Sequence, residues 1–150
     1  GGRGNLERMG RLVKRGLFPP LPETGNRRSL VHVDDVVGAM RLVADADRAN
    51  GGTYIVASST APSGRELFDA LRSALGMPRC SWAVPGVLLR AVAIGADGLE
   101  AIVKRRMPFD GEVLDRLLGS AWYSPARIER ELGWRARVSL ADGLAEMLAK

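Results

Sequence analysis

The stretch Arg27-Arg28-Ser29-Leu30-Val31-His32-Val33-Asp34-Asp35-Val36 sets a basic pair, an apolar run and an acidic helix start side by side within ten residues. The large apolar residues Leu30, Val31 and Val33 suit a short buried strand. Asp34 or Asp35 can cap the first free N–H groups of a helix that continues through Val37, Met40 and Val43. A strand that turns directly into a helix sets Arg28 at the strand entrance.

The rest of the chain is punctuated by glycine and proline. Leu6, Met9, Val13 and Leu17 recur at helical spacing, Gly16 ends that pattern, and Pro19-Pro20 forbids its continuation. Phe18-Pro19-Pro20-Leu21-Pro22 cannot supply a full ladder of donors, so an extended connector along a surface or a sheet edge is expected. Gly25-Asn26 turns the chain into the apolar run, and Asn50-Gly51-Gly52 stops the helix that follows it. Tyr54 to Ala57 reads as a second strand. Ser63 and Glu66 have capping-box spacing, with Leu67, Leu71, Ala74 and Leu75 as the apolar side of a helix that Gly76 ends. Trp82 and Pro85 introduce a helix over Val87 to Ala96, extended by Leu99, Ile102 and Val103 after a break at Asp97-Gly98, and a short helix is expected from Asp110 to Leu118. Ser124 is read as an N-cap with Pro125 at the first helical position, Ile128 and Leu132 facing inward; Ser139, with Asp142 three residues on, caps a final helix. The expected fold class is α/β, mainly helical with a few short strands, in a single domain over residues 1–150 with no internal repeat or linker.

Composition narrows the function. With 150 residues, 46% of them hydrophobic, the chain can build one modest core. Cys80 is the single cysteine, so no internal disulfide forms, and with His32 the only histidine no zinc cluster is expected; a reducing cytoplasm fits this usage. The apolar stretch Val84 to Ile94 carries Arg90 and falls short of the about 20 residues a bilayer requires, so it reads as a buried helix and no membrane partner is expected. A net charge of +5 and a pI near 10.1 raise the question of nucleic acid. The arginines, however, are interspersed with Asp and Glu. The densest cluster, Lys104-Arg105-Arg106, has no interleaved aromatics on which bases could stack, so a solvated face is the better reading and nucleic acid is not an expected partner.

The opening stretch resembles the arginine-aromatic/apolar-x-His-Val-Asp-Asp-Val signature of the extended short-chain dehydrogenases/reductases, the family of nucleotide-sugar epimerases, dehydratases and 4-keto reductases. Tyr123-Ser124-Pro125-Ala126-Arg127-Ile128, then Glu131-Leu132-Gly133-Trp134 and Val138-Ser139-Leu140 with Gly143-Leu144, is similar to that family's closing pattern. Gly51 to Ala57 and Ser63 to Leu67 resemble its late strand and following helix, so the resemblance runs from about Gly4 to Met147. It implies the C-terminal, substrate-binding part of a Rossmann-type enzyme. The glycine-rich turn that binds the dinucleotide and the Tyr-x-x-x-Lys pair are not in this sequence: neither Tyr54 nor Tyr123 has a lysine four residues on. The chain is therefore expected to begin where such an enzyme has just left its catalytic half. NAD(P) is then the cofactor of the parent enzyme and is not expected to bind this chain alone.

The resemblance also assigns candidate residues for a nucleotide-diphosphate sugar. Arg28 matches the arginine that reaches the diphosphate, a group a guanidinium fork binds bidentately; Arg27 reads as structural or solvent-facing. Asn5 stands where family members contact the nucleotide sugar, with capping of the Leu6 helix as its plain alternative. Phe18 and Leu21 resemble the segment bordering the nucleobase, with ordinary packing as the alternative. Many family epimerases carry an arginine and an acidic residue before the Leu-Gly-Trp helix; here only Arg116 substitutes, a pattern closer to the 4-keto-sugar reductase and quinovosamine-type branch. No residue is assigned to catalysis or to a metal. His32 reads as a structural histidine within a strand, Asp34 and Asp35 as caps, and Trp82, Trp122 and Trp134 as core or rim packing. The function implied is the nucleotide-sugar-binding portion of an epimerase or 4-keto reductase, not competent alone; the rivals are a non-catalytic interaction module and a basic nucleic-acid-binding domain. A chain lacking its Rossmann half should expose apolar surface and self-associate.

Overall fold

The structure, a computed structural model, describes residues 5–91 and 118–149. Helix α1 (Asn5–Lys14) turns Met9, Gly10 and Val13 inward. Its end is closed by Gly16 at φ 67°, with the Gly16 N–H on the Val13 carbonyl (3.0 Å) and the Leu17 N–H on that of Leu12 (2.9 Å). Helix α2 (Val33–Asp45) runs into a single 3₁₀ turn, Asp47–Ala49. Helix α3 (Gly64–Ala74) opens on the expected capping box: the Glu66 N–H donates to Ser63 Oγ, the Ser63 N–H donates back to the Glu66 carboxylate, and Gly76 with positive φ follows its end. Backbone at 86–91 is helical. Helices α4 (Ala126–Leu132) and α5 (Leu140–Ala149) complete the described elements.

Two apolar clusters hold these elements together. In the first, α3 packs on α1 and α5, and α1 on α5, around Met9, Val13, Leu67, Phe68, Leu71 and Leu144. Gly10 allows the close approach, since a Cβ there would lie 3.2 Å from the Leu148 side chain. The second joins α2 to α4 through Ala39, Ala49, Ile128, Leu132 and Trp134. Extended backbone runs between them: Leu30 packs on the first cluster and Val31 on the second.

The mainly helical expectation holds, and the short strands do not. Among the described residues Leu30–Val33 and Tyr54–Ala57 form no strand, and the single ladder step is a parallel bridge between Arg28 and Ala121. The reason lies in how the bonds are shared. The Ser29 N–H goes to Ala121 O (2.9 Å), the Arg28 N–H to Pro62 O (3.1 Å) on another neighbour, and Leu30 O accepts from the Ser58 N–H (2.8 Å); Val33 already begins α2. No pair of segments exchanges enough consecutive bonds to make a ladder.

The proline-rich connector also departs from expectation, lying within the core: Phe18 and Leu21 are buried, with Leu21 only 1% exposed. Prolines bring no N–H that burial would orphan, and the free carbonyls find donors, Pro20 O in the Val84 N–H (2.9 Å) and Leu21 O in Arg65. At α4 the cap shifts by one residue. Pro125 stands at the N-cap, while Ser124 Oγ still accepts the Ala126 N–H (3.3 Å). Ser139 caps the start of α5 as expected, accepting the Asp142 N–H (3.1 Å) and donating to its carboxylate (2.6 Å). The helix expected over Val87–Ala96 is present as far as the described residues run, to 91, while that expected over Asp110–Leu118 lies outside them except for its last residue, and Lys104-Arg105-Arg106 lies wholly outside them. No described helix is long and apolar enough to cross a membrane.

Candidate functional site

The first turn of α3 gathers the connector that carries three of the candidate residues. The Ser63 hydroxyl donates to Glu23 Oε2 (2.6 Å), and the Gly64 N–H donates to the buried Asn26 Oδ1 (3.1 Å), whose amide in turn donates to Gly119 O (3.1 Å). In the same turn, the Arg65 guanidinium donates to Leu21 O (3.2 Å), Trp82 O (3.0 Å) and Cys80 O while pairing with Asp69 (2.9 Å). Residues 21–28 and 80–82 are thereby tied to one rigid element. The Ser63 hydroxyl and then the Gly25 N–H (2.7 Å) hold the Glu23 carboxyl below the usual carboxylate range.

Arg28 is half-buried. Its backbone is pinned between Pro62 and Ala121, and its guanidinium makes no hydrogen bond or ion pair with the described residues. Arg27, its exposed neighbour, lines a depression of about 590 Å³ with Glu23, Asn26, Ser63 and Glu66. Asn5 is the exposed first residue of α1, so it does not precede the helix as a cap. Phe18 stacks on Phe68 at 6.0 Å between centroids, and Leu21 lies in the same core, so both side chains are engaged in packing. Arg116 lies outside the described residues. Phe18, Leu21 and Arg28 therefore share one connector held by α3, and Asn5 stands apart.

The acidic pair does something other than capping. The N-cap of α2 is His32, whose Nδ1 accepts the Asp34 N–H at 3.4 Å, and Asp34 is exposed. Asp35 is buried, and its two oxygens accept the backbone N–H groups of Arg137 (2.9 Å) and Val138 (3.0 Å), fastening the approach to α5. His32 is thus structural at a helix start, outside any strand. It lines a second cavity of about 490 Å³ with Leu30, Ser58, Thr60, Ser139 and Glu146. Of the tryptophans, Trp134 is buried, while Trp82 and Trp122 are exposed.

Sequence reasoning missed Glu23, Asn26 and Arg65, which position the connector. The i,i+4 spacing of Arg65 and Asp69 was a visible signal; the carbonyls that Arg65 collects carry none.

The chain is 25% identical over 149 residues to the UDP-glucose 4-epimerase of Vibrio cholerae, a match covering 97% of this chain and 41% of that protein. The Bordetella bronchiseptica enzyme WbmF, solved with NAD+, is 25% identical with a TM-score of 0.58, covering 98% of this chain and 36% of that one. The chain is a partial homologue of these two proteins, in keeping with the resemblance of its sequence to the extended short-chain dehydrogenases/reductases. The fold also matches part of the UDP-glucose 4-epimerase of Thermotoga maritima solved with UDP-glucose, with a TM-score of 0.60, 19% identity and coverage of 99% of this chain and 39% of that one. No family model matches the chain. It spans about two fifths of the length of these relatives.

Proposed function

We propose that this chain is the nucleotide-sugar-binding portion of an NAD(P)-dependent epimerase or 4-keto reductase, a mainly helical unit that holds the nucleotide while a Rossmann half supplies the chemistry. The observation that carries the reading is Arg28: a guanidinium that makes no hydrogen bond or ion pair with the described residues, on backbone fixed from both sides, at the position where the family resemblance expects a diphosphate ligand. WbmF has been solved with NAD+ and UDP, and the Thermotoga enzyme with UDP-glucose, so a uridine diphosphate is the ligand class to try. Asn5 and Arg116 are proposed as further contacts. Phe18 and Leu21 would border the base through a backbone that Arg65 and Val84 hold in place.

NAD(P) has no fit among the described residues. The positive-φ glycines, Gly16, Gly25, Gly51, Gly76 and Gly133, sit in turns or after helices, and none opens a helix on a preceding strand as a pyrophosphate cradle requires. No step is assigned through the cofactor, and the chain by itself is expected to turn over no UDP-sugar.

Titration of the chain with UDP by calorimetry tests the reading. Arg28→Ala removes one charge-assisted phosphate contact, about 1.5–3 kcal/mol, so affinity should fall about ten- to hundred-fold, whereas Arg27→Ala should leave it unchanged. Equal binding by the parent and Arg28→Ala would remove the assignment.

A further inference from the structure

We propose that His32, Asp34 and Glu146 form a binding site for a divalent transition-metal ion of the zinc class, on the wall of the cavity between the start of α2 and α5. The imidazole and the two carboxylates each offer a ligand atom, all within 4.8 Å of one another. His32 Nε2 lies 3.4 Å from Glu146 Oε2, and His32 Nδ1 lies 3.6 Å from Asp34 Oδ2. Tetrahedral zinc, with bonds of about 2.0–2.2 Å to nitrogen and oxygen, holds its ligand atoms about 3.3 Å apart. Coordination through Nδ1 uses the lone pair that accepts the Asp34 N–H at 3.4 Å, and coordination through Nε2 leaves the ring proton on Nδ1, so the ion displaces that long cap bond in either mode, with one carboxylate already near its place. The other, exposed on the first turn of α2 or on α5, closes by side-chain rotation.

The ring is the fixed member of the set. The His32 side chain is only 16% exposed, and its Cδ2 packs against α5 so closely that a Cβ at Gly143 would meet it at 3.4 Å. One nitrogen and two anionic oxygens suit a borderline cation, while magnesium and calcium favour oxygen-only shells. The remaining coordination position faces a cavity of about 490 Å³ whose wall includes Ser58, Thr60 and Ser139, leaving room for water or a small anion. A count of one histidine and one cysteine hides such a site, because the carboxylates that complete it are separated from one another by most of the chain.

The single histidine makes the test direct. The full chain, stripped with a chelator, is titrated with zinc chloride while calorimetry reads stoichiometry and the imidazole ¹⁵N signals are followed. One site per chain with a shifted His32 signal is expected. Glu146→Gln and Asp34→Asn should each weaken binding about 10-fold or more, and Cys80→Ser should leave it intact. His32→Ala also removes the α2 cap, so the two carboxylate variants carry the decision. A His32 signal that moves with pH but not with zinc, carboxylate variants that bind as the parent does, or loss of binding in Cys80→Ser would each overturn the proposal.

Discussion

Glu23 shows how one side chain couples the site connector to its helix. The Ser63 hydroxyl, the Gly25 N–H and the nearby Arg65 charge favour its carboxylate over the neutral acid, so its pKa in the folded chain lies below 4.5. A depressed carboxyl pKa contributes stability that is fully present above the unfolded value and is lost as pH falls through the folded one. Ser63→Ala should therefore raise the Glu23 midpoint toward 4.5, read from its carboxyl ¹³C shift, and should cost about 1 kcal/mol as a lost cap. Glu23 is exposed, which keeps the electrostatic part small. An unchanged midpoint in Ser63→Ala would show that the hydroxyl does not hold the carboxylate. In the core, Phe68 is 1% exposed and stacks with Phe18, so Phe68→Ala should cost about 3–5 kcal/mol in denaturant unfolding.

At the level of elements, the two neighbouring aspartates separate cleanly. Asp35→Ala leaves the N–H groups of Arg137 and Val138 without their acceptor in a buried place and should destabilise by about 1.5–3 kcal/mol. Asp34→Ala removes an exposed charge from a first turn and should cost well under about 1 kcal/mol. Urea unfolding of both variants checks this, and equal losses would contradict the assignment. The sequence pattern could say that an acidic residue belongs at this helix start; it could not say which carboxylate reaches a segment about a hundred residues away. The same limit explains the strands. Alternation at Leu30–Val33 is real, because Leu30 and Val31 do face different clusters, yet a ladder depends on what neighbouring segments offer. Helix starts and stops set by local chemistry, such as Ser63 with Glu66, Ser139 with Asp142 and Gly16 after α1, were legible to within a residue or two. At the site, Arg28 was legible from its motif, whereas the hold of Arg65 on Leu21, Cys80 and Trp82 exists only once the chain is folded.

Across the whole molecule, the apolar surface that remains uncovered forms a pattern. Val33 (65% exposed), Val37 (40%) and Met40 (66%) recur at i, i+4 and i+7 on α2, one helix face, and Trp122 and Tyr123 add exposed aromatics beyond the Arg28–Ala121 bridge. A helix opposes this stripe with its other side, where Ala39 is fully buried in the second cluster, so α2 is apolar on two faces and covered on one. The relatives that share this fold are more than twice as long as the region matched, which fits a face that a larger protein covers. In the 150-residue chain the stripe meets water and should drive self-association. Light scattering should show a mass above the monomer that rises with concentration, together with binding of an apolar dye. Val37→Gln combined with Met40→Gln should lower both, with a stability change within about 0.5 kcal/mol because neither side chain is in the core. A parent chain that stays monomeric at high concentration and binds no dye would mean that this face needs no partner.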